Sequence, residues 1–172
     1  MRSVASADRI DGRVWCFGDD ISTDLLSPGE YTLLPPEEQK LHTLESVDPR
    51  FPQQVQPGDV VVAGKNFGCG SSRETAPKNL QALGVACVVA DSFARIFLRN
   101  SVAIGLSVLA CTGVREAFAE GDEIELDLAT GLVRNTGSGA VLQGEPLPPE
   151  MREILTGGGM LAALRAFARD AD

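Results

Sequence analysis

Residues 68–74 read Gly68-Cys69-Gly70-Ser71-Ser72-Arg73-Glu74 and concentrate the groups that could do chemistry. Glycines let backbone N–H groups come close to a ligand, and a helix opening just after them adds partial positive charge, so an anion such as a carboxylate is favoured there. Arg73 adds a full charge and a planar fork that can grip a carboxylate with two hydrogen bonds. The run from Ser71 to Glu74 also fits the S-x-x-E capping box, in which serine and glutamate merely satisfy free N–H groups at a helix start. It is not a nucleotide-binding Walker loop, because Lys65 stands before the glycines rather than after them. A second polar cluster, Ser22-Thr23-Asp24, follows the turn Gly18-Asp19-Asp20, where acidic residues are ordinarily solvated.

The elements that must position these groups can be read from apolar periodicity. A first strand is predicted at 13–17 and a buried strand at 59–63, directly before the glycine loop. A helix to about 83, a strand at 85–90, a helix at 93–104 and a strand at 106–110 follow. Apolar strands alternating with helices imply an α/β core with parallel pairings. Later the pattern changes to period two at 123–128, then Thr130-Gly131 and a short strand at 132–134, which reads as a hairpin. Pro148 and Pro149 open a helix, a run of three glycines breaks it, and a last helix is expected at 160–168.

Residues 29–58 hold five of the ten prolines, Pro35, Pro36, Pro49, Pro52 and Pro57, around a helical candidate at 37–44. We read this stretch as a flap that leaves the core, since loops of that length usually serve function or motion. Residues 1–11 are expected to be a flexible N-terminus ahead of a single domain at 12–168.

At 172 residues with 44% hydrophobic and 23% charged content, the chain can bury one real core. Its formal charge of −9 argues against nucleic acid and anionic membrane as partners, because both attract basic surfaces. The first residues lack the apolar core of a signal peptide and no apolar run reaches membrane-spanning length, so the expected location is the cytoplasm. Cys16, Cys69, Cys87 and Cys111 are far apart with no C-x-x-C pair, and His42 is the one histidine, so no metal site is expected within this chain. Cys87 and Cys111 read as small buried hydrophobes, and Cys69 as either a packing residue or a reactive thiol. His42 reads as a surface residue, and Arg95 and Arg99 as one exposed helix face or a contact for a partner.

Several of these runs, in this order, resemble a known family. Asn66-Phe67-Gly68-Cys69-Gly70-Ser71-Ser72-Arg73-Glu74, then Ser92-Phe93-Ala94-Arg95-Ile96-Phe97 and Arg99-Asn100, are similar to the small subunit of 3-isopropylmalate dehydratase and the swivelling domain of aconitases. Gly18-Asp19-Asp20-Ile21-Ser22-Thr23-Asp24, Pro57-Gly58-Asp59 and Gly144-Glu145-Pro146-Leu147-Pro148 extend the resemblance over about 12–168. It implies a swivelling β/β/α domain docked on a large subunit that carries a [4Fe–4S] cluster, with no cofactor in this chain. It further implies Ser71 as the base, Arg73 as the substrate-carboxylate ligand with Ser72 beside both, and Asp24 in the polar network around the substrate. The implied reaction is a hydro-lyase isomerisation of 2- and 3-isopropylmalate through an unsaturated intermediate, in leucine biosynthesis. Homoaconitase-, dimethylmalate- and citramalate-type dehydratases are close alternatives, and a non-catalytic anion-binding module is a different class.

Two positions depart from the family pattern. Thr75 stands where a histidine usually follows Arg-Glu, and Tyr31-Thr32-Leu33-Leu34 occupies the place of a Tyr-Leu-x-Thr type of loop that selects the substrate side chain. Its leucines suggest an apolar pocket for an isopropyl or methyl group, or simple packing of the flap.

Overall fold

The computed structural model describes residues 7–171. β1 (Arg9–Cys16) is followed by three four-residue helices, α1 (Thr23–Leu26), α2 (Pro36–Gln39) and α3 (Phe51–Gln54). Then β2 (Val60–Ala63), α4 (Thr75–Ala82), β3 (Cys87–Ala90), α5 (Arg95–Ile104) and β4 (Ser107–Ala110) alternate. A short α6 (Val114–Ala117) leads to β5 (Glu123–Asp127), β6 (Leu132–Asn135) and β7 (Val141–Gln143), and α7 (Pro149–Thr156) and α8 (Met160–Asp170) close the chain.

All seven strands join one sheet in the order β4-β3-β2-β1-β5-β6-β7. β1 to β4 run parallel, with Val61 opposite both Trp15 and Val88, whereas β5 to β7 are antiparallel. Alternate residues of the parallel strands feed two apolar layers. Val61, Ala63, Val88 and Val108 pack with Phe97, Val102, Ala76 and Leu80 of α5 and α4. Val60, Val62, Cys87 and Val89 pack instead with Ile124, Leu126 and Val133. Since β5 and β6 lie beyond β1 in the sheet, this second contact requires the sheet to curl, which yields β/β/α layering of the expected class.

The structure corrects four expectations. Residues 9–11, assigned to a flexible N-terminus, belong to β1, with Arg9 opposite Asp127 and Ile10 opposite Leu126; residues 1–6 lie outside the described residues. The 29–58 stretch leaves the core only over 29–38, where no residue is buried; from Gln39 on it returns, with Leu44 and Phe51 fully buried and Phe51 meeting both Trp15 and Phe17 edge-on at 5.3 and 5.2 Å. Leu44 even adopts a left-handed backbone, φ 59°. That costs about 1–2 kcal/mol for an L-residue, and burying a leucine side chain returns roughly 1.5–3 kcal/mol. His42, expected at the surface, lies half-buried with its ring stacked on Tyr31 at 3.6 Å. The helix expected at 37–44 is split into α2 and a 3-10 turn, Lys40–His42. β7 had no period-two signal long enough to read, being three residues at a sheet edge.

Candidate active site

Because β1, β2 and β3 run parallel, the loops leaving their C-terminal ends meet at one edge of the sheet, the usual place for ligands in α/β proteins. Backbone hydrogen bonds sew these loops together beyond the strands. Gly64 N–H donates to the Gly18 carbonyl, Asp20 N–H to Lys65, Gly68 N–H to Ile21 and Thr23 N–H to Cys69, at 2.7–3.1 Å. On the other side Phe67 N–H donates to Ser92 and Ala94 N–H to Phe67. The sheet register is thereby carried into the loop that holds Ser71.

Sequence chemistry makes this possible. Gly68 has φ 81°, and a Cβ there would overlap the Phe97 ring, so only glycine fits. Asp20 and Asn66 are also left-handed, at 54° and 59°, a conformation that short polar side chains tolerate. The Asn66 amide nitrogen donates to Asp20 Oδ1 at 3.1 Å, and Lys65 N–H donates to Asp19 Oδ1 at 2.7 Å. The acidic turn is thus a set of struts for the glycine loop.

Ser71 and Arg73 stand on this frame and face the α1 region. Ser71 Oγ lies 3.2 Å from Thr23 Oγ1, and Ser71 is exposed whereas Thr23 is buried. Arg73 Nη1 donates to Asp24 Oδ1 at 2.6 Å and to the Ser27 carbonyl at 2.7 Å. The rest of the guanidinium makes no hydrogen bond among the described residues. The Arg73 hydrogen bond, helped by the Gly29 N–H, holds the Asp24 carboxyl below the usual carboxylate range. Ser72 is exposed and bonds to nothing among the described residues. The capping-box alternative is not realised: Glu74 is the N-cap of α4 without a side-chain cap bond, and Ser71 bonds across to Thr23 instead.

Thr75, in the place of the family's histidine, makes a 2.6 Å hydroxyl–hydroxyl bond to buried Ser27, whose carbonyl holds Arg73. A shorter side chain therefore still braces the arginine from behind. Ser27 does not stand out in sequence, and Thr23 does so only as a member of the Ser22-Thr23-Asp24 cluster, with no role of its own. Each partner is 46–48 residues away along the chain, and no local spacing reports such a contact.

The Tyr31–Leu34 loop starts from the same mount, since Gly29 N–H donates to Asp24 Oδ1 at 3.2 Å. Its first turn is a 3-10 turn, Gly29–Tyr31, and Leu33 at its tip is 98% exposed. Arg95 and Arg99 are exposed on α5 without ion pairs among the described residues. Burial pushes the Cys87 thiol up, and raises Cys111 to about 11, so both are unreactive packing groups. Cys69 is half-buried on the glycine loop.

A serine and a half-free arginine, each braced from α1, at the open edge of a β/β/α sheet, define the swivelling-domain class. The aconitase C-terminal domain matches residues 23–112, and the chain belongs to this family. It is similar to 3-isopropylmalate dehydratase small subunit 1 of Methanopyrus kandleri, 53% identical over 92% of this chain and 94% of that one. The isopropylmalate/citramalate isomerase small subunit of Methanocaldococcus jannaschii is 48% identical over 96% of each chain. A crystal structure of 3-isopropylmalate dehydratase from Methanocaldococcus jannaschii superposes with a TM-score of 0.88, at 38% identity, covering 95% of this chain and 97% of that one.

Proposed function

We propose that this chain is the small subunit of a two-subunit hydro-lyase that isomerises 2- and 3-isopropylmalate by loss and return of water, in leucine biosynthesis. The observation that carries the reading is the pairing of Ser71 with Thr23 beside Arg73, whose Nη1 is anchored while its remaining donors stay open. An open guanidinium edge grips one substrate carboxylate with two hydrogen bonds and sets the acidic carbon against Ser71. Ser71 Oγ then takes the proton from that carbon, and returns it when water adds back. A serine hydroxyl is a weak acid, so its deprotonated form needs donors close by. The Thr23 hydroxyl is one, and the nearby Arg73 charge adds to it. Asp24 acts through Arg73 as a positioning residue rather than on the reacting atoms. Ser72 is free to contact the substrate, and Tyr31, Thr32, Leu33 and Leu34 border its alkyl side.

Expulsion of hydroxide calls for a Lewis acid, which a [4Fe–4S] cluster supplies. This chain's residues do not fit one. Its cysteines are dispersed over β1, the glycine loop, β3 and the end of β4, and no three His, Cys, Asp or Glu side chains gather among the described residues. We assign the cluster to a large-subunit partner, and the small subunit to a cytoplasmic complex with it. No helix among the described residues is long and apolar enough to cross a membrane.

The test is hydration of 2-isopropylmaleate, citraconate, dimethylmaleate and homoaconitate by the two subunits reconstituted anaerobically. Turnover that needs both chains and falls about 10²- to 10⁴-fold in Ser71→Ala supports the reading. No turnover of any acid by an intact complex would replace it with an anion-binding role. The isopropyl substrate is favoured over a carboxylate-bearing homologue because Leu33 and Leu34 offer no charge to a third carboxylate. Citraconate is the competitor to watch, given the citramalate activity in the name of one relative.

A further inference from the structure

Gln39 is a polar side chain buried to 8% exposure beneath a loop whose other members are largely solvated. Its Nε2 donates to two carbonyls at once, that of Thr32 at 3.2 Å and that of Leu34 at 2.7 Å. These are the carbonyls on either side of Leu33, which points into solvent at 98% exposure. A second strut holds the loop from below, since Tyr31 stacks on the His42 ring and His42 Nδ1 lies 2.8 Å from Glu45 Oε1.

The clamped loop is also tied to the substrate mount without a break. Arg73 bonds to Asp24, and Asp24 accepts from Gly29 N–H. The Gly29 carbonyl accepts from the Thr32 hydroxyl at 2.9 Å, and the Thr32 carbonyl accepts from Gln39. The offset between the carboxylate-gripping guanidinium and the tip leucine is therefore set by hydrogen bonds, rather than left to a mobile loop. A leucine on a mobile loop discriminates poorly among alkyl groups, because ordering it on binding consumes the small gain per methylene.

We infer that Gln39 is a specificity-positioning residue: its carboxamide clamps the carbonyls of Thr32 and Leu34 and so fixes Leu33 against the alkyl substituent of the diacid. This rests on the reading of the chain as a hydro-lyase subunit and of the 31–34 loop as the side-chain border. Gln39 itself touches no substrate. The carboxamide can be replaced at nearly constant volume by methionine, which has no donor. Glutamate keeps the shape and polarity but, ionised, offers no N–H to either carbonyl.

The experiment compares kcat/KM for 2-isopropylmaleate and for citraconate in reconstituted complexes carrying Gln39→Met, Gln39→Glu or Leu33→Ala. The expected result for both Gln39 variants is about a tenfold loss with the isopropyl acid and less than about a twofold change with the methyl acid. Leu33→Ala should shift the same ratio in the same direction. If a Gln39 variant lowers both substrates equally, or leaves both unchanged, Gln39 is merely structural and the inference is wrong. If Leu33→Ala leaves the ratio at the wild-type value in an active complex, the loop reading fails instead. Should Gln39→Met not assemble, Gln39→Glu gives the same ratio and decides alone.

Discussion

Four-residue β2 and β3 are buried at every position, whereas β5 alternates exposed and buried residues along its length. The parallel strands are covered on both faces and point their C-terminal ends at one edge, so every loop leaving that edge is brought together there. The antiparallel half turns back on itself in hairpins and covers the second face with Ile124, Leu126 and Val133, and no candidate site residue lies on it. One half supplies convergence of loops; the other supplies apolar area. The same sheet divides these tasks because parallel strands need crossovers, which gather loops, and hairpins do not.

Changes in the antiparallel half should therefore affect stability alone, whereas changes on the parallel side of β1 can reach activity as well. The largest effect is expected for Gly68→Ala, where a left-handed φ and overlap with Phe97 act together. A loss of about 2–4 kcal/mol in thermal unfolding and at least about a hundredfold drop in kcat should follow, because the loop holding Ser71 must shift. Ile124→Ala, in the antiparallel half, should cost about 2–5 kcal/mol in denaturant unfolding while kcat of the folded complex stays within about twofold. A matching fall in its kcat would break the division of tasks.

Finer changes within the site sharpen it. Thr23→Val keeps the buried shape but removes the hydroxyl facing Ser71, and should lower kcat about tenfold with KM little changed. Thr23→Ser should restore most of the activity, which a packing role for the methyl group would not allow. Asp24→Asn is expected to raise KM about threefold without altering unfolding, since the Asp24 carboxyl is largely exposed. Its pH signature follows from the lowered carboxyl. The pair is fully formed above the ordinary carboxylate value, near pH 4, and is lost only as pH falls below it through the native value. An acid limb near pH 6 in wild-type KM would have to come from another group.

Much of this organisation was legible before any coordinates. The apolar runs 59–63, 85–90 and 106–110 and the glycine loop before a helix place a parallel α/β core and its ligand edge, since period and turn chemistry are local properties. The second part of the 29–58 stretch departs from the flap reading because proline density reports broken helices, and says nothing of where Leu44 and Phe51 pack. The first strand is read from Arg13 rather than Arg9 because Arg9, Asp11 and Gly12 are poor strand formers on their own, and only pairing with β5 recruits them.

By itself, then, the sequence determined the α/β class, the loop bearing Ser71 and Arg73, and the family to which the chain belongs. Tertiary structure alone decided that Thr23 faces Ser71 and that Thr75 braces Ser27 behind Arg73. Residue types and spacing fix what the backbone does within a few turns. Which hydroxyl or guanidinium meets which partner 46–48 residues away depends on sheet register and loop packing, and these exist only once the whole core has closed.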